Sequence, residues 1–268
     1  MLKIENWEVL GWEYAIRGMR NPMNSWEKSD STFFDDSEGH VCNICQGRGS
    51  MSLIEMGPND LDLMKRLRNA GTDHRKFMRM ITVYLDITAP LYWWKEYSTY
   101  KVGTVANSCS TMHKIHAKEF TLEDFSCEHL LPNAKKSLES TIDILNGYRD
   151  QYNVNTDPIV KKDYWWQMIQ LLPSSYNQKR TVMLNYEVLA NIYKWRKDHK
   201  LDEWRSFCTY IENCLPYSEL ITGNEKSIEN TPAFEERYQY PSLDDTVGKD
   251  TFGFDSYLYE QFLKTSNI

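Results

Sequence analysis

Two stretches of the chain gather side chains able to do chemistry. The first is His40-Val41-Cys42-Asn43-Ile44-Cys45, where one imidazole and two thiols offer three soft ligands within six residues. A structural zinc site needs four ligands, and Cys109, Cys127, Cys208 and Cys214 are too scattered to form a second Cys-x-x-Cys pair. An incidental thiol pair in a variable loop outweighs a metal site, and no metal is expected. The second stretch is Leu172 to Lys200, in which Asn185, Asn191 and Arg196 fall six and five residues apart. In a helix begun near Asn185, offsets of six and eleven lie at about 240° and 20° around the axis, so Asn185 and Arg196 share a face and Asn191 points elsewhere. An amide that can bond a flat heterocycle, with a guanidinium placed for a phosphate, suits a nucleotide-like ligand. A solvated face with satisfied amides is the plainer alternative. No Gly-x-Ser-x-Gly, no Gly-x-x-x-x-Gly-Lys-Ser/Thr and no Gly-x-Gly-x-x-Gly occurs, so neither a nucleophile elbow nor a familiar phosphate cradle is present.

The elements expected to carry these residues are regular between two irregular regions. Pro58-Asn59-Asp60 opens a helix through Leu61, Met64 and Leu67 that stops at Gly71, with Asn59-Asp60 as its cap. From Met78 to Thr88, Ile81, Val83, Leu85 and Ile87 alternate with polar or mixed residues, the pattern of a half-buried strand. Thr88 then reads as the N-cap of a helix opening at Ala89-Pro90 and running through Trp93, Trp94 and Tyr97. Helices follow over 132–152 and 157–172, a strand over 179–184, and helices over 186–197 and 202–213. The pattern predicts an α+β fold, with long strands and a helical majority.

The 268 residues carry 31 Lys plus Arg against 38 Asp plus Glu, and 17 Tyr, 10 Phe and 9 Trp. That apolar and aromatic content supports a packed core and excludes disorder of the whole chain. The most apolar segment, Met78 to Trp94, is interrupted by Arg79 and Asp86, so no membrane span and no membrane partner are expected. The start, MLKIENWEVLGWE, lacks the basic opening and apolar core of a signal peptide, which places the chain in the cytoplasm with its six Cys as thiols. An acidic total argues against general nucleic-acid binding but leaves room for a local anion pocket. Residues 223–268 hold nine Asp/Glu and four Lys/Arg, a net of −5, so residues 1–222 carry only −2 of the total −7. We read 223–268 as an acidic, aromatic appendage that docks through Phe252, Phe254, Tyr257 and Tyr259, and 29–58 as a loop insertion.

The residues from Pro173 onward resemble the flavin-dependent (alternative) thymidylate synthase family. Its second signature reads Leu-Pro, an Asn twelve residues after the Pro, an Asn six further on and an Arg five beyond; Pro173, Asn185, Asn191 and Arg196 reproduce that spacing. Glu203-Trp204 and Cys214-Leu215-Pro216-Tyr217 are similar to the family's closing helix and terminus. Upstream, Gly71 to His74 resembles the family's Gly-His element, and Ala89-Pro90-Leu91 the opening of its signature helix. The Arg-His-Arg-x-x-Ser-x-Asn-Glu-x-Ser-x-Arg motif is degenerate: Asn107 and Ser110 are kept with a one-residue shift, Lys101 stands for one Arg, and Thr99, Tyr100 and Met112 occupy arginine positions.

Over residues 1–222 the resemblance implies a thymidylate-synthase-complementing-protein-like fold, a homotetramer, and FAD bound between subunits. It further implies methylation of dUMP to dTMP, with methylenetetrahydrofolate and NADPH as cosubstrates. The chemistry would sit on the cofactor, with no catalytic side chain. His74, Asn185, Asn191, Lys101 and Tyr100 would contact flavin; Arg196, Ser110 and Asn107 would contact the deoxyuridine nucleotide. Tyr92, Trp93, Trp94, Tyr97 and Tyr100 offer either stacking surfaces or core. The lost arginines leave two alternatives: a homologue modifying another pyrimidine nucleotide, or a catalytically silent nucleotide-binding or assembly protein.

Overall fold

The computed structural model describes residues 1–34, 40–42, 48–51, 53–224 and 238–239. Cys45 and nearly all of the 223–268 appendage lie outside them, as do parts of the 29–58 stretch. In chain order the elements are β1 (Lys3–Leu10), α1 (Trp12–Arg20), β2 (Thr32–Phe34), β3 (His40–Cys42), β4 (Arg48–Met51), β5 (Leu53–Glu55), α2 (Pro58–Asn69), β6 (Thr82–Pro90), α3 (Leu91–Tyr97) and β7 (Val105–Ser108). They continue with α4 (Pro132–Val154), α5 (Pro158–Leu171), β8 (Asn177–Asn185), α6 (Tyr186–Arg196), α7 (Asp202–Cys214), α8 (Glu219–Thr222) and β9 (Tyr238–Gln239). The architecture mixes helix and strand. Seven strands form one sheet in the order β7-β8-β6-β1-β4-β3-β9, and β2 pairs separately with β5.

The sheet's centre is β6. It runs antiparallel to β8 from Thr82 opposite Asn185 to Pro90 opposite Asn177, and antiparallel to β1 on its other side. Its alternation is the expected one: Val83, Leu85, Ile87 and Ala89 are buried, whereas Tyr84 is exposed. The covered face packs with Trp7, Val9, Val182 and Leu184 against α1, α3, α6 and α7, whose Trp12, Trp93, Trp94, Tyr186, Trp204 and Phe207 are almost wholly buried. A second cluster joins α4 and α5 to the 115–125 segment through Ile115, Phe120, Phe125, Leu138, Ile142, Leu145 and Met168. Among the described residues no helix is long and apolar enough to cross a membrane.

Several local expectations are corrected. Helix α2 is capped from outside: the Asp30 carboxylate accepts from the backbone N–H of Asn59 at 2.9 Å and of Asp60 at 3.1 Å. Asp60 instead turns inward, where its fully buried carboxylate meets Arg20 Nε at 2.7 Å and the Ser29 and Ser31 hydroxyls at 2.8 and 2.7 Å. Met78 belongs to a 3₁₀ turn over Arg75–Arg79, and β6 begins only at Thr82. Thr88 caps nothing, because β6 extends to Pro90 and α3 starts at Leu91. The ladder with β8 holds Ala89 and Pro90 extended, overriding the local helix signal. The aromatics of α3 are core: Trp93 meets Trp204 at 4.7 Å between ring centroids, and Tyr97 stacks on Trp204.

Candidate functional site

The richest convergence of the sequence-derived residues is at the start of α6, which follows β8 with no intervening loop. Asn185 is the last residue of β8 and the N-cap of α6, with extended backbone and its Oδ1 accepting from Val188 N at 3.0 Å. It therefore lies outside the helix whose face it was expected to share with Arg196. Capping uses Oδ1 and leaves the Nδ2 donor facing the loop after α3: a Cβ built on Gly103 would lie 3.5 Å from Asn185 Nδ2 and 3.3 Å from Val188 Cγ2. Gly103 has φ +78°, which a side chain rarely adopts. That loop carries exposed Lys101, which makes no ion pair among the described residues.

In the first turn of α6, Glu187 receives both Arg75 and Arg79 from the 3₁₀ turn that follows His74. Burial alone would raise the Glu187 carboxyl, but the two guanidinium hydrogen bonds outweigh it and hold it below the usual carboxylate value. The clamp fixes the turn bearing exposed His74 beside the start of α6. His74, Lys101 and Asn185 are thus carried on three segments meeting at one end of the sheet. Asn191 is exposed farther along α6.

At the other end of α6, Arg196 is already engaged. Its Nη1 donates to Glu96 Oε2 at 2.9 Å and its Nε to the Tyr100 hydroxyl at 2.9 Å. Its guanidinium carbon lies 4.9 Å from the centroid of Trp204 and 5.5 Å from that of Tyr100. Trp204 Nε1 also donates to Glu96, at 3.2 Å, and His199 Nε2 is 3.5 Å away. Tyr100 is buried against this group, so the structure joins Tyr100 to Arg196 directly. Arg180, on β8, lies over the Trp94 ring at 4.4 Å, and burial lowers its pKa.

Asn107 and Ser110 are placed elsewhere. Asn107 is exposed on β7 opposite Thr181, and the chain continues to Cys109, whose N–H bonds Lys179 O at 2.9 Å. Ser110 is exposed and closes a small turn, accepting from His113 N at 2.9 Å and meeting His113 Nδ1 at 3.0 Å. Six strand steps separate Lys179 from Asn185, so Ser110 and Asn185 stand about 20 Å apart at opposite ends of β8. Sequence reasoning missed Glu96, Glu187, Arg75 and Arg79. Each acts through a partner far away in the chain, and no local spacing announces it.

Among the described residues no group of three His, Cys, Asp or Glu could hold a metal ion; the 40–45 thiol stretch includes Cys45, which is outside them. No protein-family model and no curated protein matches the chain. Among solved structures it is similar to thymidylate synthase X from Helicobacter pylori with FAD and dUMP, at 15% identity over 83% of this chain and 98% of that chain, with a TM-score of 0.56. A structure of flavin-dependent thymidylate synthase ThyX from Helicobacter pylori complexed with FAD and dUMP gives 16% identity, 84% and 100% coverage, and a TM-score of 0.55. The chain shares the fold of these proteins.

Proposed function

We propose that the chain is a flavin-dependent enzyme of the thymidylate synthase type, methylating dUMP to dTMP with methylenetetrahydrofolate and reduced FAD. The observation that carries the reading is a fold shared over nearly the whole length of two structures holding FAD and dUMP. The meeting of the Asn185, His74 and Lys101 segments at the start of α6 supports it, because hydrogen-bonding side chains beside one unpaired lysine fit the polar rim and diphosphate of a flavin. Asn185 Nδ2, His74 and Asn191 orient the ring system, and Lys101 opposes the phosphate charge. When bound and reduced by NADPH, the flavin would supply the hydride that converts the transferred methylene to a methyl group.

On the nucleotide side, Arg196, Ser110 and Asn107 are the proposed contacts, with Tyr100 fixing Arg196. Because Ser110 and Asn185 lie at opposite ends of β8, a homotetramer that brings different protomers' residues together is part of the proposal, as is a cytoplasmic location. The test is the visible absorption of the purified protein, followed by dUMP-dependent oxidation of reduced flavin. Bound FAD and dTMP formation are expected; a colourless protein that takes up no FAD and oxidises none overturns the reading. Running dCMP in parallel, with product masses measured, separates dUMP from another pyrimidine substrate.

One observation favours a second reading, a catalytically silent nucleotide-binding or assembly protein. Glu96 already supplies the carboxylate that Arg196 would otherwise exchange for a phosphate. Nucleotide binding without turnover supports that reading, and measurable dTMP formation excludes it.

A further inference from the structure

Residues 223–268 are acidic and aromatic, and the folded core carries a surface of complementary kind. From Lys65 to Arg79 the chain holds six Lys/Arg and one Asp. Asp62 answers Arg66, and Glu187 answers Arg75 and Arg79, so the group keeps a net of +3 within a chain of net −7. Its members are neighbours in space. Arg75 and Arg79 share the Glu187 carboxylate, and the pKa of Arg68 is lowered, by burial first and then by the charge of Arg75. Lys65 lies one turn from Arg68 on α2, and Lys76 and Arg79 share a face of the 3₁₀ turn, which repeats every three residues. Half-buried Lys65 and exposed Lys76 make no ion pair among the described residues. An apolar patch follows directly. Met80 is 47% exposed, its Sδ would lie 3.0 Å from a Cβ on Gly18, and Tyr14, one turn before Gly18 on α1, is 56% exposed. Cations beside exposed apolar side chains suit an acidic segment that carries aromatics.

Residues 240–268 have that composition: five Asp/Glu against two Lys, a net of −3, with Phe252, Phe254, Tyr257, Tyr259 and Phe262. The sheet sets where they start. β9 is antiparallel to β3, β3 is antiparallel to β4, and β4 is parallel to β1, so β9 runs in the direction of β1. β1 ends at Leu10 opposite Thr82, the first residue of β6, and the 75–79 turn stands just before it. Beyond Gln239 the chain therefore leaves the sheet at the end that bears the basic group. Four strand spacings, roughly 19 Å, separate β9 from β6, a span that about six extended residues cover. Asp244 and Asp245 fall at that reach. The appendage also leaves α8 against this surface, since a Cβ on Gly223 would lie 2.3 Å from Arg68 Nη1.

We propose that residues 240–268 dock on this surface of their own chain, their carboxylates against Lys65, Arg68, Lys76 and Arg79 and their rings against Met80 and Tyr14. The contact uses no residue assigned to flavin or nucleotide and stands whether or not the chain binds either. The test is carbodiimide cross-linking of the full chain, as an equal mixture of unlabelled and ¹⁵N-labelled protein, mapped by mass spectrometry. Amide links should join Lys65 or Lys76 to an acid of 240–268, each within one isotope label, and their yield should fall severalfold between about 50 mM and about 0.5 M salt. Chymotryptic cleavage between Phe252 and Phe262 should quicken about five- to tenfold in Lys65→Glu/Lys76→Glu and return to the wild-type rate when Asp244→Lys/Asp245→Lys is added. An unchanged thermal midpoint checks that each variant is folded. No link at Lys65 or Lys76, equal yields at exposed Lys135 and Lys136 of α4, or cleavage indifferent to the charge exchange overturns the contact. Links between labelled and unlabelled chains give the surface to a second copy and overturn docking within one chain.

Discussion

Arg196 shows how one side chain is committed by its surroundings. A guanidinium matches a carboxylate and a phosphate equally well, and here Glu96, Tyr100 and the Trp204 face satisfy it from within the chain. A nucleotide phosphate would have to compete with Glu96. Replacing Arg196 by Ala should therefore weaken dUMP binding about tenfold, whereas Glu96→Gln should strengthen it about three- to tenfold, both read as dissociation constants. Equal and unchanged affinities in the two variants would remove Arg196 from the nucleotide site. Glu187 makes a different prediction. Its folded-state pKa is depressed below 4.5, so the clamp with Arg75 and Arg79 stabilises the fold above that value and is lost as pH falls through the lower folded value. Acidifying from neutral to below the ordinary carboxylate range should lower the thermal midpoint more in the wild type than in Glu187→Gln, and parallel curves would contradict the clamp.

Among the elements, the junctions proved harder to read than the repeats. Alternation in β6 and helical spacing in α4, α6 and α7 were legible because each element's own side chains sort between core and solvent. Its ends were not, because caps come from wherever the fold places an acceptor. Asp30 caps α2 across 29 residues, so Asp30→Ala should cost about 1 kcal/mol, measured by chemical denaturation. The β1–α1 junction is stricter. Gly11 has φ +93°, and a Cβ there would lie 2.1 Å from Met80 O, a backbone atom that cannot swing aside. Gly11→Ala should destabilise by about 2–4 kcal/mol from left-handed strain plus the clash. The α1–α2 pairing rests on Arg20 with Asp60, both buried. Asp60→Ala should cost about 3–5 kcal/mol by leaving a buried charge unmatched.

For the whole molecule, the sheet decides which residues can cooperate. It sets Asn185 and the His74 turn at one end of β8 and Ser110 at the other, about 20 Å apart by strand geometry. If protomers complete the proposed flavin site for one another, dilution that dissociates the assembly should release FAD in step, followed by flavin absorption and light scattering together. FAD retained by a monomer would refute that arrangement. The sequence alone determined the mixed helix-and-strand class, the hydrophobic β6, most of the helices and the Pro173–Arg196 spacing, because burial periodicity and residue spacing are local properties of the chain. Only the tertiary structure decided that Asn185 caps α6, that Glu96 takes Arg196, that the α3 aromatics are core, and that Arg75 and Arg79 share Glu187. Those outcomes depend on which distant groups meet, and the energy of a charge or ring depends on its neighbours in space.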